Sequence, residues 1–198
     1  MTSTYIMRAL SRCRAEKGRI KLIFGYILLG LLLILVTCGV TGLIFFKFTV
    51  GRRDSWRMPD EKIIGDGARK ALLLYQPSNG GHNVPLAHAL ARQVAEQGYT
   101  VTVNHPSERV TYDLEAYDLL LFGTPAYLGE TSKALRSYVK AHPVWGKRIL
   151  LFVTGTLSEA PELESLKGLF PPGNEVYGIK VTTAESARLL DFASAHIA

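Results

Sequence analysis

Three short polar segments hold most of the residues in this chain whose types could bind a ligand. The first reads Gln76-Pro77-Ser78-Asn79-Gly80-Gly81-His82-Asn83 and joins an apolar run to a helical pattern. Backbone N–H groups at a helix start lack intrahelical partners and point outward, and the helix dipole adds positive potential. A phosphate can be held there without Lys or Arg. Ser78 and Asn83 add side-chain hydrogen bonds, and Gly80-Gly81 lets the backbone approach closely. The same residues would also make a plain strand-to-helix turn with a cap. Neither Gly-Lys-Ser/Thr nor Gly-x-Gly-x-x-Gly is present, which excludes the Walker A and dinucleotide fingerprints. The second segment, Gly123-Thr124-Pro125-Ala126-Tyr127-Leu128-Gly129, sets a rigid proline and an aromatic ring between two glycines. A planar ligand could stack on Tyr127 while backbone groups bond its polar edge. Alternatively, Tyr127 covers the core beside a tight turn. The third segment is Thr154-Gly155-Thr156-Leu157.

Each of these segments follows an apolar run. Ala71–Tyr75, Leu119–Phe122 and Ile149–Val153 are continuous apolar stretches, as expected of strands buried on both faces. Tyr99–Val103 alternates, and Val176–Val181 reads as a fifth strand. Helical patterns fill the intervals at 83–97, 131–141, 160–167 and 184–195, with Gly98 and Gly168 as stops. Strand and helix alternating through the series predicts an α/β domain with a parallel sheet and helices on both faces. Ligands bind such sheets outside the carboxyl ends of the strands, where the three segments lie.

Leu74-Tyr75 followed by Ser78-x-x-Gly81-x-Asn83-x-x-x-Ala87 resembles the flavodoxin phosphate-loop pattern. Tyr117-Asp118 before the third strand and Gly123–Gly129 after it resemble the flavin-stacking segment of that family. Gly146-Lys147-Arg148-Ile149 leading into Phe152-Val153-Thr154-Gly155 is similar to its fourth strand and loop. The resemblance covers about residues 69 to 198 and is nearest to short membrane-associated members such as menaquinone-dependent protoporphyrinogen oxidases. It implies a flavodoxin-like five-stranded parallel sheet of order 2-1-3-4-5 and a noncovalently bound FMN. Ser78, Asn79, Gly80, Gly81, His82 and Asn83 would surround the phosphate. Thr124, Pro125, Ala126, Tyr127, Leu128 and Gly129 would border the ring, with Thr154 and Gly155 on its other side. The chain departs from the pattern by one extra residue between Tyr75 and Ser78, by Asn83 in place of Thr, and by the bulky His82. An FMN-dependent oxidoreductase, an electron carrier and a flavodoxin-shaped binding module that has lost FMN all stay open.

The 198 residues carry 23 Lys/Arg and 17 Asp/Glu, a net charge of +6. Residues 1–62 hold 11 and 4 of these, a net of +7, so residues 63–198 hold 12 and 13, a net of −1. The globular part thus has no excess of positive charge, and no nucleic-acid partner is expected. Its only cysteines, Cys13 and Cys38, precede it, which excludes a disulfide framework or cysteine zinc site there. No two of its five histidines stand at His-x-His or His-x-x-x-His spacing, and Gly-x-Ser-x-Gly is absent. Leu22–Phe46 is a run of 25 residues without charge. It exceeds the ~20 residues needed to span a bilayer and the ~7–15 of a signal-peptide core, so a single-pass anchor is expected. Six cations precede it and five follow, nearly a tie, so the side of the globular domain is not assigned. The expected organisation is a basic tail 1–21, a transmembrane helix 22–46, a juxtamembrane linker 47–68 and a flavodoxin-like domain 69–198. Its expected partners are the membrane and a redox protein or quinone.

Overall fold

A computed structural model describes residues 24–46, 57–127, 129–156 and 160–197. The chain divides into two units, Met1–Thr49 and Val50–Ala198. In the first, helix α1 (Phe24–Phe46) has 23 residues and a mean hydropathy of 2.7. It would be about 35 Å long, enough to cross a bilayer, and it lies near the N-terminus, where a signal sequence also lies. Its large apolar side chains are exposed. The Thr41 hydroxyl donates to the Thr37 carbonyl at 2.7 Å, so this polar group is satisfied inside the helix.

The second unit is built on a mostly parallel sheet. Strands β1 (Lys62–Ile64), β2 (Arg69–Tyr75), β3 (Tyr99–Asn104), β4 (Leu119–Tyr127), β5 (Glu130–Thr131), β6 (Arg148–Thr154) and β7 (Glu175–Val181) alternate with helices α2 (Val84–Glu96), α3 (Lys133–Ala141), α4 (Pro161–Lys167) and α5 (Ser186–Ile197). The five parallel strands run β3-β2-β4-β6-β7, the expected order 2-1-3-4-5. The sheet itself has seven strands rather than five. Antiparallel β1 pairs with β3, Lys62 opposite Val103 and Ile64 opposite Val101. It stitches the end of the expected linker onto the sheet edge. β5 folds back on the end of β4, Ala126 opposite Thr131 and Tyr127 opposite Glu130.

Side chains alternate across the sheet, and each face has its own core. Ala71, Leu73 and Tyr75 of β2 pack with Leu86, Leu90 and Val94 of α2 and with Leu189 and Ala193 of α5. Leu72 and Leu74 face the other way, onto Leu135, Tyr138 and Val139 of α3 and Leu163 and Leu166 of α4. These β2 residues are at most 4% exposed, which explains why the strand reads as a continuous apolar run.

The largest departure from the expected elements is in β4. It was expected to end at Phe122, but it continues through Gly123–Tyr127. Gly123, Thr124 and Pro125 stay in register with Phe152, Val153 and Thr154 of β6. Gly123 allows this, because a Cβ there would lie 2.1 Å from the Phe152 ring.

A cleft at the carboxyl ends of the parallel strands

The first segment is shaped by one buried amide. Asn83 is fully buried at the start of α2, and its side chain serves the loop rather than capping the helix. Its Oδ1 accepts from Ser78 N–H at 2.7 Å, and its Nδ2 donates to the Gln76 carbonyl at 2.9 Å. The Asn83 N–H in turn donates to Ser78 Oγ at 3.3 Å. Within this ring the chain turns through Gly80 and Gly81, whose φ angles of 82° and 71° suit residues without a Cβ. The first turn of α2 carries no acidic residue, so its positive pole is not neutralised from within.

The second segment is a strand and hairpin. Buried Thr124 accepts from Ser132 N–H at 3.0 Å and donates to the Pro125 carbonyl at 3.0 Å. It ties the end of β4 to the start of α3. Tyr127 reaches across to the first segment, and its hydroxyl accepts from Asn79 N–H at 2.6 Å.

Between these segments lies a cleft of about 390 Å³, lined by Ser78, Asn79, His82, Pro125, Ala126, Tyr127, Thr154, Gly155, Thr156, Thr182 and Thr183. Its size falls in the ~300–1,000 Å³ range of small-molecule sites. The three segments singled out in the sequence thus meet at one place. Ser78, Asn79, His82, Pro125, Ala126, Tyr127, Thr154 and Gly155 border it. Gly80, Gly81, Asn83 and Thr124 do not; they shape the segments from behind. Gly129 borders a separate polar crevice of about 240 Å³ with Glu130, Thr131, Arg136, Glu162 and Ser165. Leu128 lies outside the described residues. Thr182 and Thr183 escaped the sequence reading, although they follow β7 at the same carboxyl end. Inspecting the loop after every strand, rather than after three of them, would have found them.

Among the described residues, the lining contains no carboxylate, Lys or Arg. One charged pair lies just behind it. Lys180 of β7 and Glu162 of α4 form an ion pair in which the side chains are 8% and 3% exposed. Burial pushes the Glu162 carboxyl up, but hydrogen bonds from Lys180 and a backbone N–H outweigh it and hold the group below the usual carboxylate value. On the other side of the first segment, the His105 ring donates from Nδ1 to the Tyr75 carbonyl at 3.0 Å. Burial lowers the His105 pKa, against the opposing pull of that carbonyl and of Asp60.

No protein-family model matches the sequence, and no curated protein matches it. Solved structures do match in fold. Oxidised flavodoxin 1 from Bacillus cereus superposes with a TM-score of 0.52 at 14% identity, over 65% of this chain and 99% of its own. A Streptococcus pneumoniae flavodoxin gives 0.52 at 17% identity, over 63% and 95%. A short-chain flavodoxin associated with a bacterial microcompartment gives 0.54 at 16% identity, over 65% and 97%. The globular unit therefore has a flavodoxin-like fold.

Proposed function

We propose that this chain is a membrane-anchored flavodoxin-like protein that binds FMN noncovalently in the cleft and uses it for electron transfer or flavin-dependent redox chemistry beside the membrane. The observation that carries the reading is the Asn79 N–H, which points across the cleft and already donates to the Tyr127 hydroxyl oxygen. That oxygen stands where a phosphate oxygen would accept from the same N–H. The donor set fits an anion in a second respect, since no carboxylate among the described residues lines the cleft to repel it.

Ser78, Asn79 and His82 would hold the phosphate at the positive end of α2. Pro125, Ala126 and Tyr127 would border the ring on one side, and Thr154 and Gly155 on the other. FMN, when bound, supplies reversible one- and two-electron chemistry; the protein supplies binding, orientation and electrostatics. The β4–β5 hairpin and the buried Asn83 amide keep the walls in place. The resemblance to menaquinone-dependent protoporphyrinogen oxidases supports a quinone in the bilayer, or a redox protein beside it, as the exchange partner.

Two experiments test this. Full-length protein purified in detergent should carry flavin absorbance, or quench FMN fluorescence on titration. Membranes washed with alkaline carbonate should retain it, because α1 spans. Protein that binds no FMN would leave the flavodoxin-shaped binding module as the reading. Release by carbonate would remove the anchor.

A further inference from the structure

The Lys180–Glu162 pair is unusual for its place. Lys180 stands opposite Val153 in the β6–β7 ladder, so its side chain enters the apolar core formed by Leu151, Val153, Leu163 and Leu166. Burying two charges costs several kcal/mol per ion before their attraction is counted, and an apolar pair of similar volume often serves stability as well or better. Stability alone therefore gives no account of the pair. Its orientation supplies one. A Cβ built on Gly155 would meet Lys180 Cε at 3.0 Å, Nζ at 3.7 Å and Ala126 Cβ at 3.5 Å. The ammonium end thus lies directly behind Gly155 and Ala126, two walls of the cleft on the side assigned to the ring. The carboxylate end borders the separate polar crevice. The pair is a fixed dipole with its positive end toward the cleft.

We propose that this buried pair sets the reduction potential of the flavin bound in the cleft, with Lys180 favouring the reduced form. The proposal rests on the FMN reading above. Adding two electrons from an external donor and one proton from solvent to the neutral ring leaves one net negative charge on it. A cation fixed behind the wall, in surroundings of low effective dielectric, attracts that charge without having to reorganise. Glu162 offsets part of the field and holds the ammonium in place. No hydrogen bond from Lys180 to the flavin is required, and Lys180 is a positioning residue rather than a catalytic one.

The test measures two quantities on full-length protein in detergent: FMN affinity by fluorescence titration, and the midpoint potential by dithionite titration against reference dyes. Lys180→Met should weaken binding of reduced FMN relative to oxidised FMN about tenfold, a potential lower by about 30 mV for a two-electron couple. Glu162→Gln, which removes one negative charge from beside the cation, should move the potential upward. Lys180→Arg should keep it near the wild-type value. General loosening of the core would not move the first two variants in opposite directions. If wild type binds FMN and both move the same way, or neither moves, the proposal is wrong and the FMN reading stands. If wild type binds no FMN, both fall. Should Lys180→Met fail to fold, the sign of the Glu162→Gln shift decides.

Discussion

Replacing Asn83 with Ala would remove the buried side chain that joins the Gln76 and Ser78 backbone in the first segment, and the cost can be worked from its contacts. The residue is fully buried, and its amide serves two backbone groups, Ser78 N–H at 2.7 Å and the Gln76 carbonyl at 2.9 Å. Each buried polar group left without a partner costs roughly 1–3 kcal/mol. Asn83→Ala should therefore lower the stability of the globular unit by about 2–4 kcal/mol, allowing for partial entry of water. Urea unfolding of the full-length protein in detergent, followed by near-ultraviolet circular dichroism, gives the number by linear extrapolation. Asn83→Asp separates the two bonds. It keeps the acceptor for Ser78 but sets an anionic oxygen against the Gln76 carbonyl. At neutral pH it should be at least as damaging as alanine. On acidification the protonated carboxyl can donate to Gln76, and part of the loss should return. A cost below about 0.5 kcal/mol for Asn83→Ala, the level of an ordinary surface change, would refute the claim that this amide holds the loop.

Gly81→Val should cost at least about 1–2 kcal/mol, because a β-branched residue is strained at a φ of 71°; urea midpoints compared with Gly168→Val, at an ordinary helical φ of −64°, check it. The penalty is conformational, since a Cβ at Gly81 would meet only Val84 Cγ2, at 3.6 Å. Gly123→Ala forces a methyl to within 2.1 Å of the Phe152 ring and should cost at least about 1–3 kcal/mol through overpacking, read as a lowered melting temperature. The lowered pKa of His105, due first to burial, means that the unfolded chain binds the proton more readily. Stability should be full above pH 6.5 and fall as the pH drops through that value toward the depressed one; His88, lowered mainly by burial, adds to this. His105→Gln should make the fall in urea midpoint between neutral and mildly acidic pH shallower. Glu162 acts separately, since its contribution is lost only below its unfolded value of 4.5.

The central parallel strands β2, β4 and β6 were legible because burial on both faces leaves few polar residues to break an apolar run. Leu119–Phe122 and Ile149–Val153 could hardly be read otherwise. β1 and β5 were not legible: three and two residues are too few to show a period. Their pairing depends on partners 37 or more residues away for β1, Ile64 with Val101, and on a local hairpin for β5. The position of the cleft followed from strand direction, a general property of open α/β sheets. Which residues face into it did not. Asn83 and Thr124 have the right chemistry for ligand contact, yet both are committed to backbone groups. Only the folded geometry separates a hydroxyl or amide that meets a ligand from one that holds the loop behind it.

The two margins of the sheet are β1 and β7. An open margin offers unpaired backbone groups to any strand that arrives, including one from another copy of the chain. Here β1 is three residues long and carries Lys62, while β7 turns Lys180 inward as a buried charge. A short margin and an inward charge both make poor templates for strand addition. If α1 anchors the chain as proposed, copies confined to one bilayer would collide far more often than copies free in solution. Margins of this kind let such a population stay crowded without zipping together edge to edge.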